Sequence, residues 1–337
     1  MTKVLFLGGT GRTGSTLIDR VLGSCPGWLS GGELAFFWRH GILGGGLCSC
    51  GNPVRSCPLW SESLQRAEID HPIDPLKMIE LRKRFWSIHL PLMAFNSFSR
   101  SRLAETREFP EAVSRLYSAA LEISGNRILI DSSKDTHYSY LLREGSDLDI
   151  YFLHLVRDPR AVGHSWRKKK SEAGFGGRAD MERRGTLKTS VYYTVSDLAA
   201  ELIWKERRDR YRLLRYEDFV SDPVRTCSEI SDFVDEDIDL SSVLDGDIFT
   251  PEPGHVTWGN PNRFDNSPVR IKPDEAWRSE QEEWRSFLLG VLNAPVARHY
   301  GYRIGKRSKI ARVGKKFDDS VVMCSESKEG REHTDDR

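Results

Sequence analysis

Four apolar residues, Val4-Leu5-Phe6-Leu7, run straight into Gly8-Gly9-Thr10-Gly11-Arg12-Thr13-Gly14-Ser15-Thr16, after which Leu17, Ile18, Val21 and Leu22 recur at helical spacing up to Gly23. The order strand, glycine turn, helix constrains this chain more than any other feature. The first turn of a helix carries backbone N–H groups with no partner inside the helix, and it lies at the positive end of the helix dipole. A glycine turn leading into it is therefore an anion site. Three further apolar runs, at 128–130, 150–156 and 211–214, are each followed by a helical pattern and predict buried strands. Strands alternating with helices predict an α/β fold, a parallel sheet flanked by helices. Between residues 74 and 125 only helical patterns occur, which predicts a helical insertion capping the sheet.

Composition excludes several classes. The 50 Lys and Arg nearly cancel the 49 Asp and Glu, leaving +1, which argues against a strongly basic nucleic-acid binder. No window approaches the eighteen or so apolar residues of a membrane span. The start, Met-Thr-Lys running directly into a strand, carries no secretory pattern, so a cytoplasmic protein is expected. Six cysteines in 337 residues are too few for a disulfide scaffold. Residues 1–304 are expected to form one domain. Residues 305–337 open with six basic residues between 306 and 316 and continue with seven acidic and three basic from Asp318 on, which predicts a disordered charged tail. The stretches 41–58, 173–185 and 250–273 are rich in Gly, Pro, Asn and charge and read as long loops of the kind that line binding sites.

The glycine turn admits three readings. Gly9-x-Gly11-x-x-Gly14 with Glu33 about twenty residues on fits a dinucleotide fingerprint, but only Trp28-Leu29-Ser30 stands where the second strand should be. The Tyr-x-x-x-Lys pair of short-chain dehydrogenases occurs only at Tyr302 and Lys306, beside the tail. Gly9 and Gly14 also have Walker A spacing, yet Ser15 follows where an NTPase needs its phosphate-binding lysine. In the third reading, Arg12-Thr13-Gly14-Ser15-Thr16 places the cation before the glycine, and Ser15 and Thr16 open the helix with hydroxyls and N–H groups.

This last segment resembles the 5′-phosphosulfate loop of sulfotransferases that use 3′-phosphoadenosine 5′-phosphosulfate. A second segment supports that resemblance: Arg157-Asp158-Pro159-Arg160-Ala161-Val162-Gly163-His164-Ser165 follows the third apolar run. Asp158 suits an N-cap and Pro159 a first helical turn, so Arg157 ends a strand and Ser165 stands about two turns into the next helix. In sulfotransferases an Arg and a Ser eight residues later clamp the 3′-phosphate. Ile130-Asp131-Ser132-Ser133-Lys134 and Leu214-Arg215-Tyr216-Glu217-Asp218 are similar to two more of the family's strand ends, and Val269 to Pro273 and His299 to Tyr302 are similar to closing segments of tyrosylprotein sulfotransferases. The stretch Cys50 to Trp60, with His255 and Gly259-Asn260-Pro261, resembles soluble bacterial-type members.

The resemblance, over roughly residues 3–304, implies a P-loop-like sulfotransferase fold with 3′-phosphoadenosine 5′-phosphosulfate as co-substrate and no metal. It implies that Arg12, Thr13, Gly14, Ser15 and Thr16 hold the 5′-phosphosulfate, and Arg157 and Ser165 the 3′-phosphate. Tyr216, Lys272 and, one turn beyond Ser165, Lys169 are further nucleotide contacts, with Arg263 in a lesser role. Lys134 would face the leaving oxygen. Glu33, twenty-one residues after Arg12 in a Gly-Glu segment, matches the catalytic base of tyrosylprotein sulfotransferases. His40 and His89 lack a comparable context, and His255 is the next residue to consider. Arg82, Lys83 and Arg84 either meet an acidic acceptor or solvate a helix. Cys48, Cys50 and Cys57 have no fourth ligand at zinc spacing and read as a reduced or locally bridged loop. The acceptor is expected to be a hydroxyl on a sugar, lipid or natural product. An NAD(P)-binding short-chain dehydrogenase-like enzyme and a non-catalytic nucleotide-binding interaction protein remain as alternatives.

Overall fold

A computed structural model describes residues 1–86, 103–168 and 183–304. Its centre is a five-stranded, all-parallel sheet of β1 (Lys3–Gly8), β2 (Trp28–Gly32), β3 (Ile128–Asp131), β4 (Asp149–Val156) and β5 (Tyr211–Arg215). The spatial order is β2-β3-β1-β4-β5. In a dinucleotide-binding fold β2 would be the neighbour of β1; here β3 takes that place. The weak apolar run at Trp28 nevertheless is a strand, because pairing of Leu29 with Leu129 along the sheet edge supplies what the local pattern lacked.

The strands are apolar nearly throughout because both faces are covered. Side chains alternate across the sheet with period two. Val4, Phe6, Leu129, Ile150 and Phe152 join one core, with helices α4 (Glu108–Ser124), α5 (Thr136–Gly145) and α7 (Thr186–Trp204). Leu5, Leu7, Ile128, Ile130, Leu153 and Leu155 join the other, with α1 (Ser15–Gly23) and α9 (Pro223–Val234). Phe152 stacks between Phe6, at 5.6 Å, and Trp204, at 4.8 Å. Trp204 is wholly buried, so its truncation to alanine would cost roughly 3–5 kcal/mol.

The helical region contains α2 (Pro58–Ala67), α3 (Pro75–Trp86) and α4, while residues 87–102, within the expected insertion, lie outside the described residues. Helix α6 (Pro159–Arg167) follows β4, and the short α8 (Tyr216–Ser221) follows β5. The expected loop 41–58 opens inside a π-helical turn, Phe37–Leu43. The loop 250–273 contributes β8 (Val269–Arg270), which pairs antiparallel with β7 (Ile248–Phe249), itself paired with β6 (Leu244–Asp245). No sequence pattern pointed to this small sheet, whose strands are two residues each. The tail 305–337 and most of the loop 173–185 lie outside the described residues.

Candidate functional site

All five parallel strands point their C-terminal ends to one edge, where open α/β sheets bind ligands. The turn after β1 is shaped by left-handed backbone at Gly9, Arg12 and Gly14, with φ of 97°, 73° and 91°. A Cβ on Gly14 would sit 2.3 Å from Tyr216 Cδ2, so the turn rests directly on that ring and only glycine fits. The Thr13 hydroxyl donates to Thr10 O at 3.1 Å, and the Thr10 N–H donates to buried Asp197 at 2.7 Å. These bonds fix the turn ahead of Ser15 and Thr16, the first two residues of α1.

The Arg12 guanidinium lies over the Trp166 ring at 4.9 Å, and Arg184 lies over the same ring at 4.1 Å. Burial lowers the Arg12 pKa, the Glu33 charge counters this, and Arg184 adds to it. Two cations thus share an indole beside the turn, an arrangement suited to a multiply charged anion. Arg184 was missed because it lies at the end of a polar loop with no motif around it.

At the end of β4, Arg157 is only 5% exposed. Its guanidinium covers the Tyr216 ring at 4.3 Å, and Nη2 pairs with Asp274 Oδ2 at 3.0 Å. Its Nε is buried without a hydrogen-bond partner. A buried donor left this way costs about 1–3 kcal/mol, which an incoming acceptor would recover. Burial pushes the Asp274 carboxyl up, but the Arg157 bond and charge bring it below its ordinary value. Asp158 caps α6 as expected, accepting from Arg160 N at 2.9 Å, with Pro159 in the first turn. Glu217 then ties β4 to the closing segment, accepting from Asp158 N at 3.1 Å and from the Tyr302 hydroxyl at 2.7 Å. Ser165 is half-buried on α6 next to Trp166. Lys272 is exposed, two residues before Asp274, and Lys169 lies outside the described residues.

Between the ends of β2 and β3, Glu33 Oε1 meets Lys134 Nζ at 2.8 Å. Lys134 adopts φ 61° and also donates to Ser132 O at 2.6 Å. The Glu33 N–H donates to Trp258 O at 3.0 Å, so a segment more than two hundred residues later holds the backbone of the carboxylate. Behind the pair, Asp19 of α1 accepts from Ser30 at 2.6 Å and Ser132 at 2.7 Å. Burial raises its carboxyl to about 6 despite these bonds. Asp131 is likewise raised to about 6 by burial, and it accepts from the Tyr117 hydroxyl at 2.6 Å.

No model of a known protein family matches the chain, and neither does any curated protein. Among solved structures, the sulfotransferase domain of the Synechococcus PCC 7002 olefin synthase aligns over 90% of this chain and 96% of its own length, with a TM-score of 0.50 and 20% identity. The fold is that of a sulfotransferase domain. A sulfotransferase domain from the curacin biosynthetic pathway aligns over 90% and 99% of the two chains at TM-score 0.48 and 15% identity. Sulfotransferase STF9 from Mycobacterium avium aligns over 70% and 64% at TM-score 0.39 and 17% identity.

Within this sulfotransferase fold the turn 9–16, Arg157, Tyr216, Glu33 and Lys134 all come to the C-terminal strand edge, and Arg157, Tyr216 and Gly14 are in direct contact. Other residues singled out by the sequence have partners of their own. Arg263 is buried and donates to Gly259 O at 2.8 Å, bracing its own loop. Arg82 does more than solvate its helix: it bonds Ala35 O and pairs with Asp135 at 2.7 Å. His40 stacks on Trp258 at 4.5 Å. The three cysteines do have a fourth potential ligand, because His255 Nδ1 lies 3.2 Å from Cys57 Sγ and 3.9 Å from Cys48 Sγ. The three thiols are free, which corrects the locally bridged alternative. The Cys48 hydrogen bond, and then His255, pull the Cys57 thiol down, while Cys48 is pushed up by the same bond. Sequence reading missed the cluster because His255 joins it across 198 residues of chain.

Proposed function

We propose that the protein transfers a sulfuryl group from 3′-phosphoadenosine 5′-phosphosulfate to a hydroxyl acceptor, a sugar, lipid or natural product. The observation that carries this reading is the Glu33–Lys134 ion pair, a carboxylate and a cation joined at 2.8 Å beside an anion-binding glycine turn. Arg12 and the N–H groups opening α1 suit the 5′-phosphosulfate. Arg157, with its buried Nε and its place on Tyr216, suits the 3′-phosphate. Ser165, Lys272 and Lys169 complete the nucleotide contacts in this reading. A Walker lysine is missing, and β3 stands where a dinucleotide-binding fold has β2, so neither NTP hydrolysis nor hydride transfer is favoured.

In the transfer, the acceptor oxygen attacks sulfur in line while the bond from sulfur to the bridging phosphate oxygen breaks. Glu33 takes the acceptor proton, and Lys134 turns from Glu33 toward the oxygen that leaves with the negative charge. The products are the sulfated acceptor and adenosine 3′,5′-bisphosphate. Pairing in the resting site holds both groups in place, so the reaction needs only a local exchange of partners.

Among the described residues no helix is long and apolar enough to cross a membrane. We further place the protein in the cytoplasm, a reducing setting that suits its five described free cysteines.

The test is ligand stabilisation. Adenosine 3′,5′-bisphosphate at a hundred times its Kd should add about 2.7 kcal/mol and raise Tm accordingly, with NADH and ATP doing far less. A larger shift with NADH would restore the dehydrogenase reading. No shift with any of the three would favour a non-catalytic interaction protein.

A further inference from the structure

Four side chains that the proposed transfer does not use converge in one place. Cys48, Cys50, Cys57 and His255 bring three Sγ atoms and one imidazole nitrogen within 4.8 Å of one another. The Sγ–Sγ separations are 3.6 Å for Cys48–Cys57 and 3.7 Å for Cys50–Cys57. A disulfide would bring sulfurs to about 2.05 Å, so these are not bonded pairs. Four ligands around zinc, at about 2.3 Å for sulfur and about 2.05 Å for nitrogen, define a tetrahedron with edges of about 3.8 Å between sulfurs and about 3.5 Å from sulfur to nitrogen. The observed sulfur–sulfur separations of 3.6 and 3.7 Å lie just below the first value, and the sulfur–nitrogen distances of 3.2 and 3.9 Å lie on either side of the second.

We propose that Cys48, Cys50, Cys57 and His255 bind one zinc ion in a closed, tetrahedral, structural site. Soft thiolates with one imidazole select zinc over magnesium or calcium. Four protein ligands leave no position for substrate or water, which separates this site from metal-assisted catalysis. Binding replaces up to three thiol protons by the ion, and those protons pass to solvent.

The surrounding backbone is built for the purpose. Cys48 N donates to Asn52 O at 2.8 Å and Gly51 N to Cys48 O at 2.9 Å, a tight turn closed by left-handed Gly51, φ 88°, that directs two sulfurs to one side. Cys57 stands at the N-cap position of α2, where the helix dipole favours a thiolate. His255 is held by its own backbone: its carbonyl accepts from Trp60 Nε1 at 2.5 Å, and the flanking Gly254 O and Val256 N both bond the Ser49 hydroxyl.

The consequence reaches the candidate site. Past His255, Thr257 N donates to Gly31 O at 3.1 Å and Trp258 O accepts from Glu33 N at 3.0 Å. A zinc ion at His255 would therefore fasten, to the Cys loop, the same strap that supports Glu33. The metal proposal stands whether or not the protein transfers sulfuryl groups.

The test is metal content of the full chain, purified without chelator. Elemental analysis should give about one zinc per chain, and exchange with Co2+ should produce thiolate-to-cobalt charge transfer in the near ultraviolet and the intense visible bands of tetrahedral cobalt. Cys50→Ser changes the most exposed ligand, and His255→Gln the one remote in sequence; each should weaken Co2+ binding at least tenfold while the circular dichroism stays native. Protein with less than about a tenth of an equivalent of zinc and no cobalt spectrum when native and reduced would overturn the proposal. So would a native Cys48–Cys57 disulfide, or folded Cys50→Ser and His255→Gln variants that bind Co2+ as wild type does.

Discussion

The two halves of the candidate site are built in different ways. The nucleotide half is local: Gly9 to Thr16 form one turn and the start of one helix, and Arg157 to Ser165 form one strand end and the helix that follows. The transfer half is assembled. Glu33 follows β2, Lys134 follows β3, and Trp258, which accepts from the Glu33 N–H, comes from a loop that reaches them only in the folded chain. Long-range contacts also dock the two segments of the nucleotide half, the Thr10 N–H on Asp197 and both Gly14 and Arg157 against Tyr216. An assembled site depends on the packing of everything between its parts, so its positions need additional fastening.

Asp19 is where the halves meet, a carboxylate on the helix of the glycine turn that accepts from Ser30 and Ser132 beside β2 and β3. Four substitutions probe the contrast. The largest effect is expected from Glu33→Gln, which retains size but cannot take the acceptor proton. Single-turnover transfer, with an acceptor found by screening pools with radiolabelled donor, should slow about 10²–10⁴-fold. Affinity for adenosine 3′,5′-bisphosphate should stay within about twofold, since the nucleotide half remains intact. Wild-type turnover would show that the base lies elsewhere and that the assembled half is structural.

Asp19→Asn comes next. The folded carboxyl titrates at about 6, above its ordinary 3.8, so the native state binds the extra proton. The resulting stability is present at low pH and disappears as pH rises through about 6, a difference of roughly 3 kcal/mol between the limits. Urea midpoints recorded from about pH 4 to about pH 7 should therefore fall less steeply for Asp19→Asn than for wild type. Asp131, raised in the same direction, leaves a residual slope. Parallel curves would mean that Asp19 is not the proton-binding joint.

Arg157→Ala tests the local half alone. Loss of a charge-assisted bond to the 3′-phosphate should cost roughly 1.5–3 kcal/mol, about 10- to 150-fold in bisphosphate affinity, with little change for adenosine 5′-phosphate. Titration calorimetry with both ligands separates this from a general loss of fold, which would weaken the two equally. The smallest effect belongs to Asp274→Asn. Asp274 pairs with Arg157 from a partly exposed position, so removing its charge should tighten bisphosphate binding only about twofold to fivefold. Weaker binding in this variant would make Asp274 a support for Arg157 and not a competitor with phosphate.

The parallel sheet, its flanking helices and the local form of the segments Gly9–Thr16 and Arg157–Ser165 were legible in the sequence because each rests on short-range rules. Alternating and 3.6-residue periodicity mark strands and helices, glycines mark left-handed turns, and Asp158-Pro159 marks a helix start. Glu33 and Lys134 were legible singly, on resemblance, but not as an ion pair. The two-residue strands β6 to β8 carry too few residues for any period to register. His255 among the cysteines, Arg82 on Asp135 and Trp258 beneath Glu33 were not legible, since each joins segments separated by long stretches of chain. Their distances follow from how helices and loops pack on the sheet, a cooperative outcome that no local window of sequence encodes.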